Sequence, residues 1–171
     1  YTKTAAGGIV NYNRHVSNLS TWDLISVPIS DLSINSFVTG ETDLATGSGG
    51  DAGQYAVGTY TNTTAAFSAG ENWLNYTTST ASGAGDFEPG KGYQMATSGS
   101  ASGNGVGAEM TFSGKPNTGT VSEAVINSET GSSGDNDHSN GTKFNLVGNP
   151  YPAFVAVSSF ISSNTSILHT Y

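Results

Sequence analysis

The sequence predicts an all-β fold, a single antiparallel β-sandwich of jelly-roll-like type over residues 1–171, with its core at about 20–165. Three observations carry that reading. Short alternating segments recur between turn-forming clusters. No amphipathic helical run of ten or more residues interrupts them. Glycine is abundant, 23 in 171 residues, against an average usage of about 7%, which suits dense turns joining short strands.

Taken in order, residues 1–21 read as polar and irregular, with a Gly7-Gly8 turn and a short Ile9-Val10 pulse. Trp22–Val27 reads as the first strand, and Pro28, which has no N–H to donate, stops its ladder. Asp31–Val38 fits a helical turn or a short strand. Thr39–Gly53 is a loop centred on Gly47-Ser48-Gly49-Gly50. Gln54–Thr61 alternates as a strand. Gly70-Glu71-Asn72 reads as a hairpin turn into the strand Trp73–Thr77. After the small-residue loop Ser79–Gly85, Pro89-Gly90 turns the chain into the strand Tyr93–Thr97. Ser98–Gly107 is another loop. Ala108–Phe112 and Gly119–Ile126 alternate as strands, separated by turn chemistry at Gly114–Gly119. Asn127–Gly141 is the longest polar loop, and Ser166–His169 forms a last pulse. The expected inward residues are Trp22, Leu24, Val57, Tyr93, Met110, Phe112, Phe144 and Leu146. Burying each is worth roughly 1.5–3 kcal/mol.

The chain also repeats itself. Trp22-Asp23-Leu24-Ile25-Ser26-Val27-Pro28 matches Phe144-Asn145-Leu146-Val147-Gly148-Asn149-Pro150 position by position. Each copy is followed by a second apolar pulse, Ile34 with Phe37 and Val157 with Phe160. The offset slips from 122 residues at Trp22/Phe144 to 123 at Phe37/Phe160. This is one structural unit used twice. If both copies are strands, they lie side by side near the centre and bring the chain ends together.

Composition narrows the partners. Five basic residues face thirteen acidic ones, a formal charge of −8, and the basic residues are scattered. Phosphate neutralisation needs clustered cations, so nucleic acid and anionic membrane surfaces are not the expected partners. No 18-residue apolar stretch is present, so no membrane insertion is expected. The absence of Cys removes disulfides and thiolate metal sites. The start at Tyr1, without Met or signal peptide, and the end inside an apolar pattern suggest a piece excised from a larger multidomain protein.

Four motifs occur in order: Trp22-x-Leu24-Ile25-Ser26-x-Pro28, Pro89-Gly90-Lys91-Gly92-Tyr93, Thr111-Phe112-Ser113-Gly114 with Asn117-x-Gly119, and Asn145-Leu146-Val147-Gly148-Asn149-Pro150-Tyr151-Pro152. Together they resemble a β-domain of large secreted surface proteins of Bacteroidota, exported by the type IX secretion system. The resemblance covers about residues 20–165. It implies an extracellular, cell-surface or released setting with neighbouring domains in the parent chain, and carries over no catalytic residue. Family copies follow the last motif with an acidic-aromatic segment, where this chain has Ala153-Phe154-Val155.

The candidate binding residues cluster in the middle of the chain. Tyr60, Phe67, Trp73, Tyr76, Phe87 and Tyr93 are aromatic, and Asn72, Asn75, Asp86 and Glu88 lie among them. An exposed indole or phenol covers the flat C–H face of a sugar, and neighbouring amides and carboxylates take its hydroxyls. Trp73, Tyr76, Tyr60, Asn75, Asp86 and Glu88 form the predicted ligand site. The same rings could simply be sandwich core; exposure of Trp73, which follows a turn, decides between the two. Asp135-Asn136-Asp137 offers alternate oxygens for Ca²⁺, but the EF-hand glycine and glutamate are missing, and a solvated polar loop is the favoured reading of it. His15, His138 and His169 are isolated and show no zinc spacing. No nucleophile-elbow or phosphate-loop motif appears. Asp86 and Glu88 share a face two residues apart, whereas a glycosidase needs carboxyls across a cleft. The expected function is a non-catalytic extracellular module binding carbohydrate or another surface polymer. The alternative is a structural or adhesive domain of a cell-surface protein; a polysaccharide-active enzyme comes third.

Overall fold

The computed structural model describes residues 8–63, 72–99, 101–102, 105–126 and 144–165. Two antiparallel sheets enclose one core. The first contains β1 (Val10–Ser17), β3 (Ile29–Ser30), β7 (Ala101–Ser102) and β8 (Gly105–Pro116), ordered β1-β8-β3 with β7 also on β8. The second contains β2 (Asp23–Ser26), β4 (Gln54–Tyr60), β5 (Trp73–Thr77) and β6 (Gly92–Met95), ordered β2-β6-β4-β5. The chain passes from one sheet to the other at β1/β2, β2/β3, β3/β4 and β6/β7. This is a jelly-roll-like winding, as the sequence predicts.

Val16, Met110 and Phe112 from the first sheet meet Ile25, Val57, Tyr93 and Met95 from the second, all essentially solvent-free. Helix α1 (Ile34–Gly40) plugs one end of this core. Ser33 caps it, accepting the Ser36 N–H at 3.3 Å. Ile34, Phe37 and Val38 fall on one helical face and are buried. Phe37 stacks on Phe112 at 4.9 Å and meets Phe87 edge-on at 5.3 Å. Phe87 in turn meets Tyr93 edge-on at 4.9 Å. Such pairs add about 0.5–1.5 kcal/mol beyond the area they bury. Two further short helices are α2 (Thr78–Ala81), with a Thr77/Thr80 capping box, and α3 (Val157–Ser163).

Trp22, Val57, Tyr93, Met110 and Phe112 lie in or against the core as expected. Other expectations are corrected. Residues 10–17 are a strand, paired from Val10↔Gly114 to Ser17↔Gly107. Their inward row includes Tyr12 and Arg14, which hides the alternation. The outward row is a polar ladder: Ser113 Oγ donates to Asn11 at 2.7 Å and Thr111 Oγ1 to Asn13 at 3.2 Å. Leu24 points out, 55% exposed, while Ile25 and Val27 point in. In so short a strand, consecutive apolar residues satisfy either parity. Gly114–Pro116 ends β8 instead of turning, with Pro116 opposite Ile29. Residues 119–126 form no strand, and Ser79–Gly85 begins inside α2.

The second repeat copy is not a strand either. Phe144 is 49% exposed, Leu146 is half-buried, and Val147 makes a single bridge to Lys91. The two copies nevertheless touch at equivalent positions. Gly148 lies so close on the Ser26 side chain that a Cβ there would collide with it. Gly92 is likewise overlain by Leu146, whose carbonyl accepts the Gly92 N–H at 2.9 Å. Tyr151 fixes the following turn, donating to Gly119 O at 2.6 Å and accepting from Val121 N–H at 3.2 Å. The expected meeting of the chain ends, the Gly7-Gly8 turn, the Gly70–Asn72 turn and the 166–169 pulse involve residues outside the described ones.

Candidate functional site

The outward face of the second sheet is built in cross-strand rows. Leu24, Gln94, Gly58 and Asn75 form one row through all four strands. At about 4.8 Å per strand, it spans roughly 14 Å. Ser26 opposite Gly92 and Tyr60 opposite Trp73 belong to the next row.

At the β5 edge, Trp73 is 43% exposed and Tyr60 meets it edge-on, ring centres 5.1 Å apart. Edge-to-face contact restrains the indole at little cost in area. Beside them Gln94 Nε2 donates to Asn75 Oδ1 at 2.7 Å. Gly58 makes this reach across β4 feasible, because a Cβ there would lie 2.5 Å from Asn75 Oδ1 and 2.6 Å from Leu74 O. Among the described residues nothing else bonds the Gln94 amide oxygen or the Asn75 amide nitrogen, which stand as acceptor and donor. An aromatic ring beside a fixed amide pair is therefore presented to solvent.

Three predicted site residues share this platform: Trp73, Tyr60 and Asn75. The other three do not. Strand alternation turns Tyr76 to the opposite face, against the core. Burial pushes its phenol pKa up, and the Glu88 carboxylate adds to the effect. Tyr93 is shifted further the same way, chiefly by desolvation, and its hydroxyl accepts the Glu88 N–H at 2.9 Å. Asp86 is exposed and bridges to Ser33 through the backbone. Glu88 pairs with Lys91 at 2.7 Å. Phe87 is core. Phe67, Asp135, Asp137 and His138 lie outside the described residues, and so does the Ca²⁺ candidate. Among the described residues no group of three or more His, Cys, Asp or Glu is placed to hold a metal.

A cleft of about 240 Å³ opens at the β2 end. Leu24 and Ser26 line it from β2, Tyr12 and Arg14 from β1, and residues 146–149 and Tyr151 close it. Arg14 and the amide Gln94 were not singled out by sequence reasoning. The signal for Arg14 lay in the alternation of Val10, Tyr12, Arg14 and Val16, around the sole arginine of the chain.

The fold and these surfaces define an all-β sandwich module. The chain belongs to the family described as Domain of unknown function (DUF8693), whose model matches residues 1–171. No curated protein and no solved structure matches it.

Proposed function

We propose that this domain is a non-catalytic extracellular module that binds carbohydrate or another surface polymer on the outward face of its second sheet. One observation carries the reading: Trp73 stands exposed on that face, buttressed by Tyr60 and beside the Asn75–Gln94 amide pair. A sugar ring stacks on the indole, and the open amide groups take its hydroxyls. Asp86 and Glu88 serve no part in it, since neither lies on the platform and Glu88 is neutralised by Lys91. The test is binding to a glycan array with and without EDTA, beside Trp73→Ala. Saturable binding lost in the variant supports the reading, and loss in EDTA would add Ca²⁺. A folded protein that binds no glycan sinks it.

A second reading, a structural or adhesive domain of a larger cell-surface protein, draws support from the other end of the chain. Phe154, Val157, Phe160 and Ile161 are all exposed around α3. Such an apolar surface suits contact with a neighbouring domain. This reading expects Trp73→Ala to be without effect on surface attachment of the parent protein.

A further inference from the structure

We propose that the cleft between β1 and β2 is a subsite for a carboxylate, so that the polymer bound on the platform is an acidic, uronate-bearing polysaccharide. The inference rests on the carbohydrate reading above and extends it from the Trp73 end of the sheet face to the β2 end.

Arg14 is the starting point. It lies on the inward row of β1, opposite the fully buried Met110, and lines the cleft. Its guanidinium has no hydrogen-bond or ion-pair partner among the described residues. Lys91 and Lys115, by contrast, are each paired with a carboxylate. Among the three described basic residues Arg14 alone lacks a carboxylate partner, in a chain with thirteen acidic residues, and that exception calls for a ligand. No Asp or Glu lines the cleft, so nothing within it competes for the guanidinium.

A guanidinium takes a carboxylate with two parallel charge-assisted hydrogen bonds. Apolar Leu24, Ile25, Pro28 and Leu146 form much of the remaining wall and lower the local dielectric.

The cleft and the platform are parts of one surface. Leu24 belongs to the same cross-strand row as Asn75, and Ser26 lies two residues further along β2 on the same face. The row spans roughly 14 Å, a length an oligosaccharide bridges. One chain of sugars can thus stack on Trp73 and place a carboxylate at Arg14. The global charge of −8 opposes a polyanion only weakly, because screening at physiological salt sets in at about 8 Å.

The experiment measures binding by calorimetry to three polymers: a uronate homopolymer, the same polymer with its carboxyls reduced to alcohols, and a sulfated neutral glycan. The proteins are the wild type, Arg14→Gln, Arg14→Lys and Trp73→Ala, each checked for folding by circular dichroism. The expected result is a loss of roughly 10- to 100-fold in uronate affinity for Arg14→Gln, the worth of a charge-assisted hydrogen bond, with binding to the reduced polymer unchanged. Arg14→Lys restores part of the affinity, and Trp73→Ala weakens both polymers. Undiminished uronate binding by Arg14→Gln, with loss in Trp73→Ala, overturns the carboxylate subsite and leaves the platform standing. Loss in Arg14→Gln alone keeps the cleft and removes the platform. Equal, Arg14-dependent binding of the sulfated glycan overturns the assignment to carboxylates. No binding to any polymer overturns both.

Discussion

Ile34-Asn35-Ser36-Phe37-Val38 and Val157-Ser158-Ser159-Phe160-Ile161 share one apolar spacing, and both fold as seven-residue helices. In α1 the three apolar side chains are at most 4% exposed. In α3 they are 43–69% exposed. The capping differs too: Ser33 caps α1 with its side chain, whereas Ala156 offers α3 none. The segments before them diverge in the same way, since β2 pairs with β6 over four residues and its counterpart makes one bridge. A spacing of i, i+3, i+4 specifies a helix with an apolar face. It does not specify what that face meets. The first copy finds Phe112 and Phe87; the second finds no such core among the described residues.

Substitutions can break this contrast, starting where the effect is greatest. Phe37→Ala removes the ring stacked on Phe112 and is expected to cost about 3–5 kcal/mol, read as a shift in the urea midpoint. Gly148→Ala forces a methyl onto Ser26 where the two copies touch. It should cost about 1–3 kcal/mol, and the midpoint shift would persist in salt. Ser33→Ala removes the α1 cap and should cost about 1 kcal/mol; Ala156→Ser, which offers α3 a cap, should leave global stability unchanged. Phe160→Ala closes the series, expected within about 0.5 kcal/mol of wild type. A Phe160→Ala cost approaching that of Phe37→Ala would show that the second copy is buried in solution and end the contrast.

Alkali sharpens the comparison from the other side. The first copy is joined to Tyr93 through Ile25, its partner in the β2–β6 register. Tyr76 and Tyr93 both have raised pKa values in the folded protein. A phenol raised in the folded state binds its proton more tightly there than in the unfolded chain. Its stabilisation is therefore complete below the unfolded value of about 10 and declines as pH rises beyond it. Thermal melts should hold steady below that pH with respect to these groups and fall above it. The fall should be shallower in Tyr76→Phe, and a slope identical to wild type would remove burial of that phenol as its cause.

Much of the fold was legible because it depends on local signals. Alternation marked Gln54–Tyr60 and Tyr93–Met95, and the stop at Pro28 marked the end of β2. Illegible was whatever depends on a distant partner. β1 escaped notice because its inner row mixes Val10 and Val16 with Tyr12 and Arg14, and only pairing with β8 makes it a strand. Leu24 was turned the wrong way because Leu24-Ile25 satisfies either face until β6 fixes the register. The candidate site divided for a similar reason. Trp73 and Asn75 share a parity on β5 that Tyr76 lacks, and strand pairing adds Tyr60 and Gln94. Nothing in the local sequence around Arg14 indicated that residues 146–149 would close a cleft over it.

The pairing of β1 with β8 also sets a timetable. Asn13 and Glu109 are 96 residues apart, and chains are synthesised at about 5–20 residues per second. The first strand therefore leaves the ribosome roughly 5–20 seconds before its partner exists. Until then the longest pairing of the first sheet cannot form, and Phe112, on which α1 stacks, is not yet made. Pairings so remote also place folding on the millisecond-to-second scale. The chain spends most of its early life as strands waiting for their neighbours, and the row Asn11, Asn13, His15 and Ser17 along β1 keeps one side of the first of them wettable while it waits.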